Sequence, residues 1–215
     1  MTKSPLSRRR ILRAGLLSGA GLGLMPASSA QTLAGVTPRQ IEGPFYPNVD
    51  QSDKDADLTR VGDSDMQALG EVVTVTGRVL DDAGQPIANA VVDIWQANAA
   101  GRYAHERDPN AAPLDPNFQG WAIMTTDDAG RYSFKTIRPG AYPAARGWDR
   151  PPHIHFKVAR RGYHEITTQM YFEGEPLNDV DHLLKSLTKP EQSRLIARQK
   201  DENSAFNFDI VLATV

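Results

Sequence analysis

Two histidines that stand two residues apart are the part of the sequence that most directly indicates metal chemistry. His153 and His155 flank Ile154 in a segment whose apolar and β-branched residues predict a strand. Side chains at alternate positions of a strand lie on the same face, with Cα atoms about 6 to 7 Å apart, so both imidazoles could bind one ion. We expect Ile154 to point into the core. Alone, this pattern fits a hydrogen-bonded pair of polar histidines or a zinc site equally well.

Two tyrosines lie in segments rich in turn-forming residues and could contribute to the same site. Tyr103 follows the motif Trp95-Gln96-Ala97-Asn98, and Tyr142 follows the turn Pro139-Gly140. Arg150-Pro151-Pro152 leads directly into the histidine pair. A single tyrosine in a β-protein is more often a packing residue whose hydroxyl contacts water. The coincidence of the tyrosines, the arginine and the histidines is what favours a functional site.

The elements that must hold these residues are mostly short strands. From residue 72 onward, β-branched and aromatic runs alternate with glycine-containing turns, and this spacing is typical of an antiparallel β-sandwich. The predicted strands cover residues 72–80, 91–95, 131–137, 153–158, 166–172 and 206–212. The sequence therefore predicts a mainly β fold.

Segments outside the strands complete the predicted organisation. Residues 31–70 are polar and irregular, and we expect them to form an N-terminal arm that lies over the core. Residues 180–187 and 190–200 carry apolar side chains at helical spacing, and Pro190 suits a first helical turn. We therefore expect short C-terminal helices within a single β-sandwich domain that covers residues 71–215.

The first thirty residues have the features of a bacterial export signal. Arg8, Arg9 and Arg10 precede the uncharged residues 14–25 and the small residues 27–30. Paired arginines at this place resemble a twin-arginine signal, which directs the export of folded proteins. The apolar run is shorter than the about 20 residues that span a bilayer, so no permanent membrane span is expected. We predict a cleaved signal peptide over residues 1–30 and a periplasmic protein.

Charge and cysteine content exclude several classes of partner and ligand. Residues 1–30 hold five of the 24 basic residues and none of the 26 acidic ones, which leaves a net charge of −7 after cleavage. An acidic protein is a poor match for nucleic acid, so no nucleic-acid partner is expected. The chain has no cysteine. Any metal site must therefore use His, Tyr, Asp or Glu side chains.

Longer stretches around these residues carry a resemblance to a known family. The similar stretches are residues 92–98, 113–118, 136–140, 153–156 and 168–174. In them the chain resembles the intradiol ring-cleavage dioxygenases, and within that family it is most similar to the iron-binding (beta) chains of the protocatechuate branch. The resemblance extends over nearly all of residues 72–215, so this part is expected to be an intradiol dioxygenase catalytic domain.

The resemblance implies an iron site and a reaction. Four side chains would bind Fe(III): Tyr103, Tyr142, His153 and His155. A catechol-type aromatic binds this iron through both hydroxyls, and molecular oxygen cleaves its ring between the two hydroxyl-bearing carbons to give a muconate-type diacid. Tyr142 matches the tyrosinate that leaves the metal and accepts a substrate proton. The hard ferric ion suits phenolate oxygen, and coordination removes the proton that tyrosine otherwise loses near about pH 10.

Two further side chains are implied beside the metal. We assign Arg150 to stabilising negative charge on the substrate ring, because a fixed guanidinium next to the iron would be preorganised for that task. Gln169 is expected to line the site, although a glutamine in a strand often only satisfies a backbone group. We expect the remaining histidines to be surface or structural residues; they are His105, His164 and His182.

The substrate and the assembly are less closely defined. Ala144 stands where the protocatechuate branch has an aromatic residue two positions after the tyrosine that leaves the metal, and the loop from there to Arg150 is shorter. A wall of the substrate pocket is therefore expected to be missing. Protocatechuate is favoured on overall similarity, with catechol and hydroxyquinol as alternatives. An oligomer is expected, either of this chain alone or with a related chain.

Two other classes of protein are alternatives to an iron enzyme. A non-catalytic β-sandwich binding module would show similar turns over residues 77–132 and would hold no iron. A cupin-like barrel would use His153 and His155 for another metal and another reaction. Such a barrel needs an acidic ligand a few residues after the histidine pair, and residues 156–163 contain none.

Overall fold

Alternation between core-facing and solvent-facing side chains accounts for the longest strand of the protein. The computed structural model describes residues 35–51, 53–200 and 204–215. In the strand Val72–Asp81 (β1), Val73 and Val75 are buried while their neighbours are partly exposed. One face of β1 therefore lies on the core, as expected for a strand at a sandwich surface.

The other strands follow β1 in chain order. They are β2 (Val91–Gln96), β3 (Trp121–Thr125), β4 (Arg131–Ile137), β5 (Tyr142–Ala145), β6 (Trp148–Arg150), β7 (His153–Ala159), β8 (Ile166–Phe172), β9 (Ile196–Gln199), β10 (Ala205–Asn207) and β11 (Ile210–Leu212). Nine strands form one sheet in the order β11-β1-β10-β9-β8-β7-β2-β3, with β4 paired to β1. β5 and β6 form a separate hairpin.

The two halves of this sheet enclose an aromatic core. The Phe134 ring of β4 lies 6.0 Å from the Phe156 ring of β7, and Tyr132 of β4 also contacts Phe156 at 6.0 Å. On the neighbouring strand of each half, Val75 and Ile94 are fully buried in the same cluster. The layers therefore pack face to face, and the predicted mainly β, sandwich-like fold is confirmed.

The C-terminal segment differs from the prediction in its strand directions. The single strand predicted over residues 206–212 is two strands, β10 and β11, and both run parallel to β1. The break falls at Phe208, whose backbone nitrogen donates to the carbonyl of Thr76 at 2.9 Å. The chain therefore remains hydrogen-bonded to β1 between the end of β10 and the start of β11.

The C-terminal helices are shorter than predicted. A 3-10 turn (Pro176–Asp179) precedes α1 (His182–Lys185), and α2 (Lys189–Leu195) ends before residue 196. The predicted helix over 190–200 is wrong beyond Leu195, because the next residues form β9, which pairs with β8 in parallel and with β10 in antiparallel register. Strand pairing there overrides the local helical spacing.

Besides β9, three strands were not predicted. β3 pairs with β2 over its full length, although its five residues include alanine and methionine, which give little strand signal. β5 and β6 are four and three residues long, and their pairing is interrupted between Pro143 and Ala145. Elements this short and irregular lack the alternation that predicts a strand.

The segment before β1 contributes no strand to the large sheet in residues 35–51 and 53–70, and it packs along the sandwich. The backbone nitrogen of Gln40 donates to the carbonyl of Thr167 on β8 at 2.9 Å. Farther along, the nitrogen of Leu58 donates to the carbonyl of Lys135 on β4 at 2.8 Å, and the Leu58 side chain is fully buried. This segment, residues 35–70, is called the arm below.

The predicted export signal over residues 1–30 lies outside the described residues. Within the described ranges, no helix has the length and apolar character needed to cross a membrane.

Replacement of Ile154 tests the packing of the strand that carries both histidines. Ile154 is fully buried in the sandwich core. We expect Ile154→Ala to lower the free energy of unfolding by about 2 to 5 kcal/mol, because it removes buried methyl groups and leaves a cavity. The matched control is Ile123→Ala on β3, where the side chain is 39% exposed and the expected change is within about 0.5 kcal/mol. Urea denaturation measures both, and equal losses would contradict the core placement of Ile154.

Candidate metal and catalytic site

Strand β7 brings the two histidines to one side of the sheet, opposite Ile154. His153 and His155 are 2% and 3% exposed. The hydroxyl oxygen of Tyr103 lies 3.1 Å from Nε2 of His155 and 3.3 Å from Nε2 of His153. Three potential ligand atoms therefore converge in a space with almost no water.

Close approach of two loops brings the second tyrosine to the same place. Gly101 has φ +76°, and a side chain there would clash with the carbonyl oxygen of Ala141. Gly140 lies equally close to the backbone of residues 99–101. Because both positions are glycine, the two tyrosine-bearing loops can touch, and the Tyr103 and Tyr142 rings lie 5.7 Å apart in an edge-to-face arrangement.

Polar side chains hold the Tyr103 loop in shape. Oδ1 of Asn98 accepts from the backbone nitrogens of Ala100 and Arg102 at 2.9 and 3.0 Å. The backbone nitrogen of Tyr103 donates to Oδ2 of Asp108 at 2.7 Å. The position of the tyrosine hydroxyl is therefore fixed by its own loop as well as by the histidines.

The histidines are arranged so that their Nε2 atoms face Tyr103. Nδ1 of His153 lies 2.7 Å from the carbonyl oxygen of Pro151 and donates its hydrogen to it. Nε2 therefore carries no hydrogen, and its lone pair is available to a ligand. His155 stacks on Trp95 with centroids 4.8 Å apart and 9° between planes, and its Nδ1 has no hydrogen-bond partner in the described residues. These contacts fix both ring orientations.

Burial keeps both imidazoles neutral. Burial and the positive charge of Arg150 lower the pKa of His155 to about 3 and hold the pKa of His153 well below its usual value. Burial also raises the pKa of the Tyr103 hydroxyl well above its usual value and raises that of Tyr142. The side chains alone thus hold neutral imidazoles and protonated phenols, and a bound cation would be needed to favour the phenolates.

This donor set fits a ferric ion. The described residues contain no cluster of three or more His, Cys, Asp or Glu side chains that could hold a metal. The side-chain oxygen that lies next to both histidines is that of Tyr103. Neutral imidazole and ionisable phenol provide ligands that suit a hard trivalent ion.

The hairpin of β5 and β6 sets Arg150 directly across from Tyr142. Arg150 is 4% exposed, and its Nη2 donates to Oε1 of Gln169 at 2.6 Å and to the hydroxyl of Tyr171 at 3.1 Å. Nε2 of Gln169 donates to the arm carbonyl of Ile41 at 2.9 Å, which fixes the orientation of the amide. Gln169 therefore contacts Arg150 and the arm.

All six side chains predicted for the site lie in this one region, while their roles as ligands and catalytic groups stay predictions. The other histidines are not part of this group: His164 and His182 are exposed, and His105 is buried behind Phe45 with ring centroids 5.8 Å apart. Ala144, at the expected missing wall, is exposed on β5.

Sequence reasoning missed Tyr171 and Asp181, which are fully buried and contact Arg150. Tyr171 lies two residues after Gln169, so strand alternation could have placed both on one face. Asp181 precedes an apolar helical run, which indicates a helix cap and gives no sign of its contact with Arg150.

Comparison with known proteins identifies the family. The family model described as "Dioxygenase" matches residues 41–214. The protocatechuate 3,4-dioxygenase beta chain of Burkholderia cepacia is 44% identical over 179 residues, covering 79% of this chain and 76% of that one. Catechol 1,2-dioxygenase 1 of Acinetobacter lwoffii is 30% identical over 209 residues, covering 88% of this chain and 65%, just under two thirds, of that protein.

A solved structure agrees with these relatives. The dioxygenase domain of a dioxygenase and carbohydrate-binding protein fusion from Streptomyces sp. SirexAA-E superposes with a TM-score of 0.62 at 29% identity, covering 84% of this chain and all of that one. Because the family model and the relatives span most of the sandwich, the chain belongs to the intradiol dioxygenase family.

Proposed function

We propose that the protein binds Fe(III) and cleaves the ring of a catechol-type aromatic with molecular oxygen to give a muconate-type diacid. The observation that carries this proposal is the Tyr103 hydroxyl oxygen within 3.3 Å of the Nε2 atoms of both histidines. Tyr103, Tyr142, His153 and His155 are the proposed ligands. When bound, the ferric ion supplies a Lewis acid that chelates the diol and makes its ring reactive toward oxygen.

The two tyrosines differ in burial, and we assign them different roles. Tyr103 is 3% exposed and held from two sides, so it serves as a fixed ligand. Tyr142 is only partly buried and begins the short β5–β6 hairpin outside the large sheet. With the ferric ion bound, Tyr142 would be a phenolate, and its place outside the large sheet would let it turn away from the histidines and accept a proton from a substrate hydroxyl.

Arg150 provides the positive charge beside the substrate. A guanidinium held away from water stabilises negative charge on the ring more strongly than one in solvent. Gln169 keeps the guanidinium in place, because its Oε1 accepts from Nη2 while its own amide is fixed on the arm. We assign Gln169 to holding Arg150.

The substrate proposed first is protocatechuate, with catechol and hydroxyquinol as the other candidates. Its support is the 44% identity to a protocatechuate 3,4-dioxygenase beta chain. Relatives named as catechol 1,2-dioxygenase and hydroxyquinol 1,2-dioxygenase are 30% and 32% identical. We propose an oligomeric assembly, of this chain or with a related chain.

Turnover with the three diols tests the proposed reaction. The iron-loaded protein is expected to consume oxygen with protocatechuate and to form a diacid that contains both atoms of labelled oxygen. Catechol and hydroxyquinol are assayed in parallel, with para-hydroxybenzoate as the control that lacks the second hydroxyl. Turnover of catechol without turnover of protocatechuate would reject the substrate, and no oxygen uptake with any diol would reject the reaction.

Separate variants of the tyrosine and histidine ligands test the role of Tyr142. We expect Tyr142→Phe to retain most of its iron and to lose at least about 100-fold in kcat, because the proton acceptor is removed. His153→Ala is expected to lose iron, since a buried ligand is gone. Metal analysis and steady-state kinetics measure both variants. Equal loss of iron in the two variants would contradict the assignment of Tyr142.

We also propose that residues 1–30 direct export to the periplasm. Replacing Arg8, Arg9 and Arg10 by lysine should retain the protein in the cytoplasm, because a twin-arginine signal requires the arginine pair. Cell fractionation and the N-terminal sequence of the exported protein check this expectation. Export of the lysine variant at the normal level would contradict the twin-arginine route.

A further inference from the structure

Arg150 carries its charge where there is almost no water, and one buried acid stands against it. Nε of Arg150 lies 2.9 Å from Oδ1 of Asp181, with the two side chains 4% and 0% exposed. In the described ranges no other ion pair has both side chains this deeply buried. The Nε–H makes no linear hydrogen bond to the oxygen, so the contact is an ion pair fixed by position.

The carboxylate of Asp181 is held from three other directions. Oδ1 also accepts from the indole nitrogen of Trp148 at 3.2 Å. Oδ2 accepts from the hydroxyl of Tyr171 at 3.3 Å and from the backbone nitrogen of Leu184 at 3.0 Å, which caps α1. Because β6, β8 and α1 all contribute to its position, the carboxylate cannot rotate independently of the fold.

These contacts restrict the guanidinium to one orientation. Nε lies beside Oδ1 of Asp181 in a charge contact without a hydrogen bond, and Nη2 donates to Gln169 and Tyr171. Within the described residues Nη1 makes no hydrogen bond, so its two N–H groups remain for another acceptor. The protein therefore contacts Nε and Nη2 of the guanidinium, and Nη1 is left.

The charge of Arg150 acts on the candidate ligands. It lowers the pKa values of His153 and His155, and it opposes the effect of burial on the pKa of Tyr142. Arg150 also lies directly across from Tyr142 in the β5–β6 hairpin. The guanidinium therefore places its positive charge beside the candidate ligands.

We propose that Asp181 is a positioning residue that holds the Arg150 guanidinium in one orientation beside Tyr142, with Nη1 left for negative charge on the substrate. The inference rests on the proposed function, since it assigns the charge a place in that reaction. Asp181 acts through Arg150 and need not touch substrate or metal. Its helix-capping role alone would give stability without an effect on the reaction.

The first experiment is made on the metal-free protein, where it does not depend on activity. The Nε–H signal of Arg150 in a proton–nitrogen NMR spectrum is assigned by its absence in Arg150→Lys. We expect a discrete, slowly exchanging signal in the wild type and its loss or a large shift in Asp181→Asn, which has nearly the same shape and no charge. An unchanged signal in Asp181→Asn overturns the proposal.

The second experiment measures coupling in the iron-loaded protein. Asp181→Asn is expected to lower kcat on the order of 10-fold with iron content retained. In an Arg150→Gln background the same change should add little, because its effect passes through Arg150. Losses that multiply in the double variant would show independent roles and overturn the proposal.

Thr188→Ala is the matched control for a lost helix cap. Thr188 is the N-cap of α2, and its backbone nitrogen and its hydroxyl both donate to Oε2 of Glu191 in the first turn. This variant should lower Tm and leave kcat and the Arg150 signal unchanged. If it lowers kcat as much as Asp181→Asn does, the effect of Asp181 is only structural and the proposal fails.

Failure of the proposed function and failure of a variant to fold can each be distinguished from failure of this proposal. If the wild type holds no iron or cleaves no diol, the proposed function fails, and the NMR comparison still decides whether Asp181 orients Arg150. If Asp181→Asn does not fold, Asp181→Glu keeps the charge and moves the carboxylate. A shift of the Arg150 signal in Asp181→Glu then supports the proposal, and an unchanged signal overturns it.

Discussion

The burial of the Tyr103 oxygen between two imidazole nitrogens is the constraint on which the site depends. Burial keeps the imidazoles neutral and the phenol protonated, so the single Tyr103 O–H faces two Nε2 lone pairs and can donate to only one of them. Such crowding is costly unless the atoms share a common partner. In the proposed function, a cation that all of them bind would remove that cost.

Three parts of the chain cooperate to create this constraint. Strand β7 supplies both histidines, and the glycines at 101 and 140 let the tyrosine loops touch. The arm closes the remaining side, because the Phe45 ring packs at a tilt against Tyr103 with centroids 5.0 Å apart and Gly43 lies against the edge of His155. The same arm fixes Gln169, which contacts Arg150. Arm, loops and sheet therefore form one unit around the site.

The pattern of residue types along the chain correctly predicted the strands that have a clear local periodicity. The alternation around Ile154 was enough to predict a strand with both histidines on one face. Helical spacing after Pro190 was misleading, since pairing with β8 and β10 decides the structure of residues 196–199. The contact of Asp181 with Arg150 joins elements that are far apart in sequence, and only the packing of α1 against β6 and β8 creates it.

The most direct test of the account is a visible absorption spectrum of the purified protein with an iron assay, recorded before and after protocatechuate or catechol is added without oxygen. We expect bound iron, a broad band from tyrosinate-to-iron charge transfer, and a shift of that band when the diol binds. A colourless, iron-free protein that gains no colour on reconstitution with ferric iron would contradict the account. That result would favour a β-sandwich binding module.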